Sequence, residues 1–360
     1  MIKFIKGIFL FANLLVVLAL LLAGIASKTN PNVWMFPSYF SFFILPLAVL
    51  NLFFLLFWLF RKKWWALIPL LSFIFFGGII KTSFPITIFK PNIETSNKKL
   101  TVLSYNTMST GSMKKEKENE VIKYILDADA DIVCLQEFAV SQNESQFTYS
   151  DFQKIFSKYP YKHIKYKLEK WNMKLGVVTL SKYPIICKRD VQYNAAFNLS
   201  IYSDIVVGAD TLRIINNHLE SNRITAQDMK QTSRLASDFD SDKIPEITKY
   251  LSNKIVVASK VRAVQAQKVV ETEKETNYKL IVCGDFNDVP SSYTYTKVKG
   301  NLQDAFVETQ TGLAWTFNRS FFRYRIDYIL YDKQFVPANY KQGNLKDSDH
   351  YPIQVDLYFK

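Results

Sequence analysis

Hydrophobic and polar residues follow two unlike patterns that change over near residue 90. Residues 7–26 (GIFLFANLLVVLALLLAGIA) run for twenty positions without a charge, long enough as a helix to cross about 30 Å of hydrocarbon. A polar turn at 27–32 leads into a second uncharged run, 33–60. Pro37 and Pro46 fall inside it, so its first turn or two are expected at the membrane interface. Arg61, Lys62 and Lys63 close that run, and a shorter third one covers 64–80. The pattern predicts about three transmembrane helices, at 7–26, 33–60 and 64–80, inside a membrane anchor spanning residues 1–90.

Beyond residue 98 the apolar runs shorten to strand length, at 100–106, 131–137, 175–181, 212–218, 280–285, 326–331 and 353–358. Between the first two, residues 114–126 (KKEKENEVIKYIL) start charged and become apolar at Val121, Ile122, Ile125 and Leu126, one face of a helix. A long stretch, 223–277, separates the fourth and fifth strands. Ala263, Val264, Gln267 and Val270 predict its last helix, and its length reads as an insertion over one end of the domain. Strands alternating with helices predict an α/β domain over residues 91–360.

Composition narrows the class. In 360 residues, 49% are hydrophobic, which excludes a disordered chain. Three Cys exclude a disulfide scaffold and a four-cysteine zinc site. Each sits in an apolar run (DIVCLQEF, YPIICKRD, LIVCGDFND), where buried thiols are expected.

The net charge of +13 invites a nucleic-acid reading, but it is unevenly spread. No Asp or Glu precedes Glu94, whereas the first ninety residues hold eight cations. The remaining 37 Lys and Arg against 32 Asp and Glu leave +5 for residues 91–360. Much of the basic balance is therefore membrane punctuation. Four of the six Trp lie in this part, and Trp58, Trp64 and Trp65 flank the basic break, as rings at headgroup level do. Lys3, Lys6 and Arg61–Lys63 fall on one side of three spans, with Lys28, Lys81 and Lys90 on the other. That bias predicts an integral, multi-pass protein with its C-terminal domain on the extracytoplasmic side. A cleaved signal peptide ending near Ala26 is the alternative for the first run, and it leaves the domain on the same side.

Chemistry gathers where the strands end. Asn106 ends one, Gln136-Glu137 another, and Asn216-Asn217-His218-Leu219 a third. Gly284-Asp285-Phe286-Asn287 ends the next, Arg325-Ile326-Asp327-Tyr328 begins another, and Ser348-Asp349-His350 precedes the last. Singly each is weak: a Glu closing a strand is commonly a solvated edge, and Gly-Asp-Phe-Asn makes a turn. Two of the three His occupy these tips, while His163, in a Tyr- and Lys-rich run, is expected at the surface.

In order and context these motifs, with 176–185 (GVVTLSKYPI), resemble the endonuclease/exonuclease/phosphatase superfamily over about residues 98–360. The resemblance implies a four-layer sandwich of two mixed β-sheets flanked by helices, and metal-dependent hydrolysis of phosphate esters with Mg²⁺ or Mn²⁺. It assigns Glu137 and Asn106 to the metal, with Asp349 directed toward it. Asp285 becomes the general base, and Asn287 holds that carboxylate and a phosphate oxygen. His350 donates to a non-bridging oxygen, its other nitrogen fixed by Asp327, and His218 is a second imidazole on the phosphate. The physics is compatible: a phosphodiester repels a nucleophile until its charge is neutralised, and a hard Mg²⁺ prefers oxygen ligands.

Two departures narrow the branch. Abasic-site endonucleases carry an acidic residue where this chain has Met108, and inositol phosphatases carry Trp-Cys-Asp-Arg where it has Arg325-Ile326-Asp327-Tyr328. The number of metals and the leaving-group acid stay open.

The combined expectation is a membrane-anchored, Mg²⁺-dependent phosphoesterase acting on phosphodiester or phosphomonoester bonds. Its substrate is nucleic acid or a phospholipid headgroup; its partners are that substrate and the lipid bilayer, with no obligate protein partner inferred. A non-catalytic membrane receptor or scaffold reusing the fold is the alternative. A transporter is disfavoured, because spans without an acidic residue offer little for an ion pathway. Arg319, Arg323 and Arg325, interleaved with Phe321, Phe322 and Tyr324, either grip phosphate or form an ordinary strand with one buried face.

Overall fold

The computed structural model describes residues 2–88, 98–112, 119–170, 172–193, 198–225, 227–228, 244–319 and 322–360. Its apolar beginning forms α1 (Ile2–Ala26), a single turn α2 (Ser38–Ser41), α3 (Ile44–Phe60) and α4 (Leu67–Ser83). The run 33–60 is not one helix. Pro37 caps α2, and Phe43 (φ −108°, ψ 11°) leaves helical geometry before α3 begins. Among the described residues two helices, Phe4–Ala26 and Trp64–Ser83, are long and apolar enough to cross a membrane, against three runs expected; Ile44–Phe60 is shorter, at 17 residues.

These helices turn polar groups inward. Trp58 Nε1 donates to Asn13 Oδ1 at 3.1 Å, and Asn51 Nδ2 donates to Ser72 Oγ at 2.8 Å and to the Pro69 carbonyl at 3.1 Å. Outward they present Phe11, Leu18, Phe53, Leu56, Ile74 and Phe75.

The sheets follow. β1 (Lys99–Asn106) leads through α5 (Met108–Ser112) and α6 (Glu120–Ala128) to β2 (Ile132–Ser141). After α7 (Tyr149–Ile155) come β3 (Tyr161–Lys170), β4 (Met173–Ser181), β5 (Ile185–Asp190), β6 (Leu199–Val207) and β7 (Asp210–His218). The 31-residue α8 (Ile244–Lys274) precedes β8 (Lys279–Asp285), α9 (Tyr293–Lys299), β9 (Gln303–Asp304) and α10 (Ala305–Thr309). A ribbon of β10 (Phe317–Arg319) and β11 (Phe322–Tyr324) and strands β12 (Asp327–Tyr331), β13 (Phe335–Gln342) and β14 (Ile353–Phe359) complete the described elements.

Among the described residues the strands make two six-stranded sheets, β13-β14-β1-β2-β4-β3 and β5-β6-β7-β8-β12-β9, with β10-β11 apart. Both are mixed, since β1–β2 and β7–β8 are parallel and their other pairings antiparallel. The two pack face to face. Val102, Ile132 and Cys134 of one sheet share a core with Ile214, Ile281 and Cys283 of the other. On the outer face of the first, Leu103 and Val133 meet Val121, Ile122 and Ile125 of α6. On the outer face of the second, Ile215 and Val282 meet Ala266 and Val269 of α8. These central strands are buried on both faces, which is why they read as continuous apolar runs. The expected four-layer sandwich is the observed fold.

Several local expectations are corrected. Residues 113–118 lie outside the described residues; α6 begins at Glu120, where Asn119 accepts the Ile122 amide at 3.2 Å as an N-cap. On α8, Ala263 and Val270 are buried but Val264 and Gln267 are exposed, because Arg262, Gln265, Ala266 and Val269 complete the inward stripe. His163 is buried, not superficial: Nδ1 bonds Ser203 Oγ at 2.9 Å, and burial lowers its pKa to about 4. Cys134 and Cys283 are buried as expected, and Cys187 is half-buried. The anticipated boundary near residue 90 also lies outside the described residues.

Candidate active site

Six strand-end segments converge at one end of the sandwich. Asn106 ends β1, His218 ends β7, and Asp285 ends β8, directly opposite Asp327 in the antiparallel β8–β12 register. Glu137 sits in β2 where the pairing with β4 shifts register between Leu135 and Phe138. Its φ of 48° marks a bulge that re-aims the side chain. Asn287, two residues beyond β8, has φ 52° and donates its amide N–H to Asp285 Oδ1 at 2.8 Å. Gly284 makes the approach of β7 and β8 possible: at φ 122°, any Cβ there would collide with the Asn217 carbonyl.

Asp285 is the hub. Its Oδ2 accepts from Asn106 Nδ2 at 3.0 Å and from Asn287 Nδ2 at 3.1 Å. His350 Nε2 lies 3.7 Å from the same oxygen and His218 Nε2 4.0 Å. Burial pushes the Asp285 pKa up to about 6; the His350 and His218 charges and the Asn106 bond oppose the rise, and Asp327 adds to it.

His350 Nδ1 pairs with Asp327 Oδ2 at 2.9 Å. Burial alone would lower the His350 pKa, but Asp327 and Asp285 outweigh it and raise the value to about 10. The imidazole is therefore a cation at neutral pH, oriented by Asp327 with Nε2 toward Asp285. Ser348 fastens this loop to β1, donating from Oγ to the Asn106 carbonyl at 2.9 Å and accepting the His350 amide at 3.0 Å.

A cavity of about 370 Å³ opens over this cluster. Its polar floor includes Glu137, Asp285, Asn287, Asp349 and His350. His218 does not line it; the ring is buried with Nε2 3.5 Å from Glu137 Oε1, between that carboxylate and Asp285. Asp349 lines the cavity with its carboxylate 3.3 Å from Arg319 Nε.

The donor set suits a hard divalent cation. Among the described residues three carboxylates, Glu137, Asp285 and Asp349, share the cavity with one Arg, and no thiol lines it. Asn106 turns Nδ2 toward Glu137 Oε1, at 3.4 Å, while Oδ1 accepts the Met108 amide at 3.1 Å. Ligation through its oxygen requires the opposite amide orientation. Ligating atoms of Asp285, Asp327 and His350 also lie within 4.8 Å of one another. That trio already contains the His350–Asp327 hydrogen bond, so its geometry is that of a positioning chain.

Sequence reasoning missed the cavity's apolar side. Tyr39, Phe42 and Phe43 come from the N-terminal helical segment, Ile255 from α8, and Phe317 and Tyr324 from the β10–β11 ribbon. No local signal marks the first three, since they continue an apolar run. The arginine stripe divides: Arg319 lines the cavity, whereas Arg325 is buried. Its Nη1 meets Asp304 at 2.7 Å and its Nη2 donates to the Thr82 carbonyl at 2.7 Å.

The fold and this cluster define a class, and comparison with known families agrees. The chain belongs to the Endonuclease/Exonuclease/phosphatase family, whose model matches residues 103–350. Members of that family hydrolyse phosphate esters. Residues 6–83 match a domain of unknown function (DUF8431). No curated protein sequence matches.

Among solved structures, an endonuclease/exonuclease/phosphatase from Bacteroides vulgatus is 14% identical, covering 73% of this chain and 100% of its own, with TM-score 0.50. The human Nocturnin catalytic domain with bound sulfate anion is 18% identical (73% and 95% covered, TM-score 0.48). Sphingomyelinase C from Streptomyces griseocarneus is 16% identical (72% and 99%, TM-score 0.46). At these identities the likeness is one of fold.

Proposed function

We propose that this protein is a membrane-anchored phosphoesterase that uses a divalent cation, Mg²⁺ or Mn²⁺, to hydrolyse phosphate ester bonds. The observation that carries the reading is the convergence of Glu137, Asn106, Asp285, Asn287 and the His350–Asp327 pair beneath one cavity. A non-catalytic receptor has no need of a buried carboxylate with its pKa lifted near 6 beside a histidine held cationic.

Each residue has a part in that reading. Asp285, ionised at neutral pH and held by two amides, takes a proton from the attacking water. The water's oxygen forms the new bond to phosphorus as the ester oxygen departs. His350 donates its Nε2 proton in a hydrogen bond to a non-bridging oxygen, where charge builds. Asn287 Nδ2 is shared between Asp285 and the Leu219 carbonyl, 2.9 Å away, which keeps it at the cavity floor. His218, which does not line the cavity, stands between Glu137 and Asp285 and would act on the phosphate through these two carboxylates. Glu137 and Asp349 would hold the cation, and Asn106 would join them with its amide reversed, leaving Asn287 to hold Asp285; the cation would supply neutralisation of the substrate's charge.

The anchor reading rests on helices that bury Asn13, Asn51 and Ser72 while presenting apolar side chains outward, an arrangement for an apolar solvent. The segments that touch the catalytic domain come from the Lys28 and Lys81 end of the helices. Asn32 Nδ2 donates to the Lys260 carbonyl at 3.0 Å, and Thr87 Oγ1 to the Val307 carbonyl at 3.0 Å. With the 17-residue Ile44–Phe60 taken as the third crossing, the Lys and Arg bias would then put the domain outside the cytoplasm and Arg61–Lys63 within it. A reporter fused at Lys360 that is active only in the cytoplasm would overturn that topology.

The enzymatic reading is tested with full-length protein and bis-(p-nitrophenyl) phosphate. Release of p-nitrophenol with Mg²⁺ that stops with EDTA supports it. Inertness toward that ester, DNA, RNA, sphingomyelin and phosphomonoesters alike removes it.

A further inference from the structure

The anchor does more than lie next to the catalytic domain. α2 and the two residues after it are seated on that domain and form one side of the cavity. Ser291 Oγ, four residues past Asn287, donates to the Ser41 carbonyl at 2.6 Å with both residues buried. Ser252 Oγ of α8 donates to Tyr39 Oη at 3.0 Å. Phe42 meets Tyr324 edge to face, ring centroids 5.7 Å apart. Tyr39 and Phe42 are thereby held, and with Phe43 they line the cavity that Glu137, Asp285 and His350 also line.

The cavity accordingly combines phosphate chemistry with aromatic rings, Tyr39, Phe42 and Phe43 among them. Phe43, 57% exposed, is followed directly by α3, whose Val49, Leu50, Leu52 and Phe53 are exposed. Phe43 is thus the cavity residue next in sequence to the helix proposed to face lipid. Among the described residues the lining carries one arginine, Arg319, and it is paired with Asp349, whereas a nucleic-acid track uses several unpaired cations along a groove.

We infer that Tyr39, Phe42 and Phe43 are specificity-determining residues, and that the substrate is an amphiphilic phosphate ester whose hydrocarbon group lies on them while its phosphate meets Glu137, Asp285 and His350. The anchor supplies a substrate subsite, and the ester enters from the bilayer side. This rests on the phosphoesterase reading above.

The test uses full-length protein in lipid nanodiscs with Mg²⁺ and the p-nitrophenyl esters of methyl, butyl and octyl phosphate. KM is expected to fall about tenfold or more from methyl to octyl as methylenes leave water. Phe42→Ser/Phe43→Ser should reduce that ratio to about threefold or less, and Phe42→Leu/Phe43→Leu should keep it. Partition into the disc lipid is common to all three proteins, so the difference between them reads the pocket.

Phe43→Ser alone, at an exposed position, should lose part of the preference without endangering the fold. A native enzyme indifferent to chain length, a preference unchanged in the Ser variants, or faster turnover of a single-stranded oligonucleotide than of the octyl ester overturns the inference while the phosphoesterase reading stands. No release of p-nitrophenol from any ester overturns both.

Discussion

Ser291 Oγ donates to the main-chain carbonyl of Ser41 at 2.6 Å, joining the loop that follows Asn287 to the turn between α1 and α3 across 250 positions of sequence. Both residues are buried, so neither group has water as a substitute partner. Ser291→Ala leaves the carbonyl unsatisfied, at a cost of about 1–2 kcal/mol. A thermal melt of the full-length variant should show a lower Tm than the native protein. An unchanged melt would mean that the N-terminal helices and the β-sandwich are not coupled here.

Glu137→Gln and His350→Ala should each lower kcat/KM by about a thousandfold, the usual scale for removing one charge-stabilising group from a catalytic site. Steady-state turnover of bis-(p-nitrophenyl) phosphate measures it. Isothermal titration with Mg²⁺ separates the two: Glu137→Gln should weaken cation binding and His350→Ala should not. Retention of activity in both variants would refute the roles proposed.

The activity profile should fall on both sides. Below a pH at or under about 6 the Asp285 carboxylate protonates and the base is lost, with a bound cation favouring the charged form and moving that limb lower. Toward pH 10 His350 loses its proton and its charge. Asp327→Asn removes the partner that raises His350, so the alkaline limb should shift toward an ordinary histidine value while KM changes little. A rate profile from pH 4 to 10.5 checks both limbs. An alkaline limb unmoved in Asp327→Asn would contradict the positioning role.

Glu273 offers a stability test away from the site. It is half-buried on α8, its Oε1 has no hydrogen-bond partner, and burial raises its pKa from 4.5 to about 8. A folded-state pKa above the unfolded one favours the fold below pH 4.5, and that advantage is lost as pH rises through about 8. Glu273→Gln should therefore raise Tm by about 3–5 °C at pH 8.5 and by almost nothing at pH 4. An equal shift at both values would point to packing instead of ionisation.

Gly284→Ala should not yield folded protein, because the added Cβ meets the Asn217 backbone and a φ of 122° is closed to alanine. Soluble expression with a native-like melt would show that β7 and β8 can separate at this point.

Much of this was legible along the chain. The seven apolar runs are all strands, because central strands buried on both faces carry their signal in every residue. Strands β3, β5 and β13 were not legible. β3 is an edge strand rich in Lys, β5 is a six-residue edge strand, and β13 carries Pro337 and a register shift between Ala338 and Lys341. β6 is fully strand-like in burial, yet Ser200, Ser203 and Asp204 interrupt its apolar pattern.

By itself the sequence determined where the chain is apolar enough to leave water, which runs are strands and which polar residues stand at their ends. Those features depend on period and on neighbours a few residues away. Only the tertiary structure decided that Asn106, Glu137, Asp285, Asn287 and His350 meet at one floor, that Arg325 is a buried strut while Arg319 faces the cavity, and that His163 is interior. It alone brought Phe42 of the N-terminal helical segment against Tyr324 of the β-sandwich. A side chain's surroundings there are set by contacts between segments hundreds of residues apart, and no local pattern records which face of an apolar run such a contact will use.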